Sequence, residues 1–258
     1  MKTHGVTDET LVRSLSVYAG MVSTVVADPE QWLGVDEDTD PDTGTDPVRS
    51  SLPQRALDAI RDHTLGTVTP AATEWAAQPL QQRVDWWVDR IAVGAGLAAA
   101  APRLAGALAD RLPLQAALGA AATGLAVCAV AREHGLTEPS DWVPLLAKVL
   151  FDRDIDATAG AAVPAPEDSE QALRATDTEE ERRGPVAALA RGAQHSARTL
   201  WRLAGGFRDL QHLLDDRPRG GILARGLAKV PVVGVAGGWL DERGAIRKAG
   251  KETAGLIA

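Results

Sequence analysis

Residues 84–135 read VDWWVDRIAVGAGLAAAAPRLAGALADRLPLQAALGAAATGLAVCAVAREHG, and this stretch decides the fold. It contains two Ala/Gly-rich apolar segments, Ile91–Ala101 with Leu104–Ala109 and then Leu114–Ala131, separated by Asp110-Arg111-Leu112-Pro113. Alanine is the strongest helix former, and small side chains let helix backbones approach closely. Gly94 and Ala98, Ala101 and Ala105, and Gly119 and Thr123 are each four residues apart, so each pair shares a helix face. Gly106 and Gly124 add to these faces. The pattern predicts a helical hairpin on which the flanking helices pack. Its second arm stops at Glu133-His134-Gly135, where a glycine suits the left-handed residue that follows a helix.

Leu114–Ala131 is 18 residues without a charge, the lower edge of what spans a bilayer. Ten of those residues are Ala or Gly, which contribute little transfer free energy, and Pro102 and Arg103 interrupt the first arm. A buried, tightly packed hairpin is therefore expected in preference to a true span.

The rest of the composition agrees with an all-α bundle. The apolar fraction is 45%, mostly Ala, Leu and Val, with two Phe and one Tyr, whereas a sheet would call for aromatic and β-branched residues. Seven Trp carry most of the aromatic bulk. Of the adjacent pair Trp86-Trp87, which project about 100° apart on a helix, one is expected in the core and the other near a surface. The single cysteine, Cys128, excludes an intramolecular disulfide and a cysteine-based zinc cluster, which points to a reducing compartment. Met1-Lys2-Thr3-His4 leads into polar residues with no apolar h-region, so no signal peptide is expected.

Outside the hairpin, Thr7 is placed to cap a helix running to about Ala27, closed by Asp28-Pro29. Val35–Arg49 has six acidic residues, two Pro and two apolar residues, too little apolar surface to repay ordering. A helix is expected from Ser51 to about Leu65, and another over Thr73–Arg90 with a kink at Pro79. Residues 138–151 form a short helix, and Pro185 opens an amphipathic one. Gly220–Leu240 is a second Gly-rich apolar stretch, followed by a last helix from about Asp241. The organisation that results is an N-terminal helix in 1–34, an acidic linker in 35–50, and a helical domain over 51–258 with a mobile acidic insertion at about 157–184 that holds at most a turn of helix around Leu173.

Charge is divided unevenly. Residues 1–181 hold 13 basic and 29 acidic side chains, a net of −16, while residues 182–258 hold 14 and 6, a net of +8. A basic third on an acidic protein suits an anionic partner or, alternatively, internal neutralisation within the fold.

The chain offers no local catalytic pattern. Gly94-Ala95-Gly96-Leu97-Ala98-Ala99 imitates a dinucleotide fingerprint, but Pro102 and the lack of βα alternation argue against that fold. Asp152, Asp154 and Asp156 imitate a calcium loop whose required Gly and Glu fall on Ala157 and Val163. His4, His63, His134, His195 and His212 have no metal-ligand spacing, and there is no nucleophile elbow, P-loop or specific nucleic-acid motif. No catalytic residue, cofactor or metal ligand is assigned, and the chain reads more as a non-enzyme.

Two stretches resemble the EcsC family of bacterial proteins. The first is the hairpin end Ala129-Val130-Ala131-Arg132-Glu133-His134-Gly135 with Trp142-Val143-Pro144-Leu145-Leu146-Ala147-Lys148-Val149-Leu150. The second is Lys229-Val230-Pro231-Val232-Val233-Gly234-Val235-Ala236-Gly237-Gly238. His134 stands where that family has Tyr, and Trp239-Leu240-Asp241 lacks its Asn. The resemblance implies an α-helical, membrane-associated protein of unsettled biochemical role and transfers no catalytic residue.

The expected function is that of an accessory protein, cytoplasmic and peripheral on the inner face of the membrane, bound to an anionic membrane surface or a membrane protein. Its candidate contacts are Arg191, Arg198, Arg202, Arg208, Arg225, Lys229 and Trp239. The alternative is a soluble helical scaffold, a homo-oligomer through the small-residue faces.

Overall fold

The structure is a computed structural model that describes residues 7–33, 68–104, 112–156, 162–175, 196–206 and 235–258. Its helices are α1 (Asp8–Ala27), α2 (Pro29–Leu33), α3 (Leu80–Leu104), α4 (Leu112–Glu133), α5 (Pro139–Phe151), α6 (Pro166–Ala175), α7 (196–206) and α8 (Val235–Ile257). A 3₁₀ turn, Trp75–Ala77, precedes α3, and no strand occurs among the described residues.

Helix α4 is the central element, packed by α3, α8, α5 and α1. Every side chain from Leu125 to Ala131 is 0% exposed, which explains why this helix is apolar all round rather than on one stripe. Its end has the expected geometry. Gly135 is left-handed at φ 95°, with Gly135 N–H donating to Arg132 O and Leu136 N–H to Ala131 O. That paired arrangement satisfies the last carbonyls of the helix. At the other end of the chain order, Thr7 accepts the Thr10 N–H and caps α1.

The small residues of the hairpin are occupied from inside the chain. A Cβ on Gly124 would lie 2.8 Å from the Tyr18 ring of α1, and one on Gly94 would lie 3.1 Å from Ser196 of α7. Gly250 of α8 sits in the same way against Val88 and Val130. These close approaches bring α1, α7 and α8 onto the hairpin at backbone contact. Tyr18 also donates its hydroxyl to Ala121 O at 2.7 Å.

Five expectations are corrected. Pro79 does not kink a helix. It follows the 3₁₀ turn and immediately precedes α3, so residues 80–90 of the segment expected over Thr73–Arg90 and the first hairpin arm as far as Leu104 form one helix starting at Leu80. That helix continues through Pro102. Proline has no N–H to give to the carbonyl four residues back, and the freed Ala98 carbonyl instead accepts the Trp201 indole N–H at 3.3 Å. Trp86 and Trp87 are both buried, at 7% and 0% exposure, because Trp75 covers Trp86 edge-on and gives both rings an interior environment. The acidic insertion, expected to hold at most a turn of helix around Leu173, contains the ten-residue α6, with Ser169 and Leu173 buried and the helix packed against α1. The last helix starts at Val235, so Gly237 and Gly238 lie inside it despite the cost of about 1 kcal/mol per interior glycine. The linker 35–50, the helix expected over 51–65 and the Pro231 motif lie outside the described residues.

Candidate functional site

A polar cleft of about 400 Å³ lies where α1, α2, the 68–79 segment, α3 and α4 converge. Asp28, Glu30, Trp75, Arg83, Arg132 and Glu133 line it. Glu133 is its centre. The helical register of α4 brings it to the open end of the bundle, and its side chain is 7% exposed. One carboxylate oxygen accepts the Trp87 indole N–H at 2.9 Å and the Trp75 indole N–H at 3.2 Å. The other oxygen pairs with Arg83 at 3.3 Å. Burying a carboxylate costs free energy unless it is hydrogen-bonded and paired, and here three donors from two elements meet that requirement.

The neighbouring groups are equally committed. Arg132 donates to the Val26 carbonyl at the end of α1, a helix with no basic residue in its own last turn. It supplies the positive charge that favours a helix C-terminus. Asp28 accepts the Gln31 N–H and opens α2. Trp142 of α5 donates to Leu136 O just beyond α4. The arrangement ties three helix ends together and holds an aromatic wall beside a fixed carboxylate. Among the described residues no group of His, Cys, Asp and Glu is placed to hold a metal ion.

A second junction surrounds Trp32, which is 3% exposed. Arg174 of α6 lies 5.3 Å and Arg202 of α7 lies 5.5 Å from its ring centroid. Thr199 donates its hydroxyl to the Trp32 carbonyl. These contacts use the electron-rich indole face to draw two cations from different helices onto α2.

The structure separates the seven candidate contacts. Arg198 and Arg202 are half-buried on α7, with Arg202 engaged by Trp32. Trp239 is on α8, and Arg191, Arg208, Arg225 and Lys229 lie outside the described residues. Among the described side chains of α8, the exposed basic ones are Arg247, Lys248 and Lys251, and Arg247 is paired with Asp89 of α3 at 2.7 Å. Sequence reasoning did not find the Glu133 hub. Its signal was an acidic residue in the last turn of an apolar helix, where helix dipole preference would place a cation. Comparison with family models, curated proteins and solved structures finds no match for this chain.

Proposed function

We propose that this protein is a membrane-associated accessory protein, held at an anionic membrane surface or a membrane partner by its basic C-terminal third. The observation that carries this reading is the division of charge, −16 over residues 1–181 against +8 over residues 182–258. Basic side chains close to an anionic leaflet are worth about 1 kcal/mol each, so a few suffice for reversible binding. The outward face of α8 supplies Lys248 and Lys251, while Ile246, Ala249 and Thr253 of the same helix are buried. With Arg198 and Arg202 half-buried, the attraction falls to these lysines together with Arg191, Arg208, Arg225 and Lys229. Helix α1 is also long and apolar enough to cross a membrane by length and composition, with 61% of its most apolar window buried in the bundle. The resemblance to the EcsC family points the same way.

Flotation with anionic and neutral vesicles across a salt series tests this. Binding to anionic vesicles alone, reversed by salt, is the expected result, because attraction at a surface fades within a Debye length of about 8 Å at physiological salt. Absence of binding at low salt would overturn the reading. The second reading, a helical scaffold without membrane contact, is favoured by the complete burial of α4 from Leu125 to Ala131.

A further inference from the structure

Two arginines line the cleft beside Glu133 with most of their donors unused. Among the described residues Arg83 meets one acceptor, Glu133, at 3.3 Å, and its Nε is buried with no hydrogen-bond partner. Its side chain is only 21% exposed. Arg132 donates through Nη1 to Val26 O and makes no ion pair among the described residues. A guanidinium is a planar fork of N–H donors that matches the two oxygens of a carboxylate.

Acids face the same space. Asp28 and Glu30, both exposed, line it from the junction of α1 and α2, where the last carbonyls of α1 add negative potential. No ion pair joins either of them to Arg83 or Arg132 among the described residues. Glu133 is already committed through both of its oxygens. Opposite charges that line one cavity without touching leave a gap for a molecule that carries both signs. Three carboxylates against two arginines give the lining a net charge of −1, so an anion without its own cation is disfavoured there.

The remaining wall is apolar, with Pro29, Pro70, Ala71 and the Trp75 ring. Trp75 is held by its N–H bond to Glu133 and by its edge contact with Trp86 at 5.4 Å, so this wall is set before a ligand arrives. The volume of about 400 Å³ is at the small end of ligand sites, which run to about 1,000 Å³. That size suits a small metabolite. We propose that the cleft binds an α-amino acid with an apolar side chain, its carboxylate on Arg83 and Arg132, its ammonium beside Asp28 and Glu30, and its side chain against Trp75 and the two prolines. This site is independent of membrane attachment.

Titration of the full chain with L-leucine, L-methionine and L-phenylalanine tests the proposal, read by calorimetry and by the Trp75 indole N–H resonance. At least one is expected to bind saturably with a Kd below about 1 mM. Isocaproate, which is leucine without its ammonium, and isoamylamine, which is leucine without its carboxylate, should each bind at least about tenfold more weakly than leucine. Arg83→Gln should weaken amino-acid binding by about tenfold or more. Ala71→Trp, at an exposed position of the wall, fills the cleft without touching the core and should abolish binding with circular dichroism unchanged. No saturable binding of any of the three amino acids would overturn the proposal. So would isocaproate or isoamylamine binding as well as leucine, an unchanged affinity in Arg83→Gln, or binding that survives Ala71→Trp.

Discussion

Replacing Glu133 by alanine removes the acceptor shared by two indoles and a guanidinium. The consequences differ for the three donors. Trp87 is 0% exposed, so its N–H loses its partner where water has no access, a cost of about 1–3 kcal/mol. Arg83 has a side chain 21% exposed, and solvent softens its loss to about 1 kcal/mol. Trp75 is half-buried at the cleft and recovers most of its bond from water. The sum is about 2–4 kcal/mol for Glu133→Ala. Glu133→Gln keeps a carbonyl for the indoles but turns an amide toward Arg83, and is expected to cost about 1–2 kcal/mol. Urea unfolding followed by circular dichroism measures both values, with an unchanged slope indicating an unchanged unfolded reference. The indole N–H resonances of Trp75 and Trp87 should both move in Glu133→Ala, and less in Glu133→Gln. A loss below about 0.5 kcal/mol, the range of ordinary surface substitutions, together with an unmoved Trp87 resonance would refute the hub.

Gly124→Ala forces a methyl against the rigid Tyr18 ring and strains its bond to Ala121 O, with an expected net cost of about 1–3 kcal/mol in thermal or urea unfolding. Gly244→Ala, in α8 with nothing within 4 Å of the new Cβ, should instead stabilise by about 0.5–1 kcal/mol, the helix-propensity difference alone. The Tyr18 phenol and the Cys128 thiol are both held well above their ordinary pKa, first of all by burial. Their contribution is therefore fully present below the unfolded values, about 8.5 for the thiol and about 10 for the phenol, and is lost as pH rises past them. Stability measured by urea unfolding should fall across that alkaline window. Cys128 should stay unreactive toward a thiol reagent at pH 8 until urea unfolds the chain, and rapid labelling of the native protein would contradict its placement.

Several local features could be read from the chain because their causes are local. Thr7 caps α1 since a threonine oxygen reaches the third residue of the helix, and Gly135 ends α4 since glycine tolerates positive φ at no steric cost. The apolar face of α5 followed from residue spacing alone, and Trp142, Leu146 and Leu150 are all buried. Pro102 was misjudged because the cost of proline in a helix depends on what receives the orphaned carbonyl. The acceptor-to-donor match with Trp201 joins residues 103 apart in the chain. The Glu133 cleft was hidden for a related reason: its donors come from residues 75, 83 and 87, and no spacing rule connects them to 133.

By itself the sequence determined that this protein is helical and organised around a small-residue hairpin, because alanine content, capping residues and apolar spacing act over one or two helical turns. It also determined the opposition of an acidic body and a basic end, which is a matter of counting. The tertiary structure decided what the small residues are for. Gly20, Gly94, Gly124 and Gly250 meet α6, α7, α1 and the hairpin of the same chain, because a missing side chain specifies that a neighbour can come close but not which neighbour does.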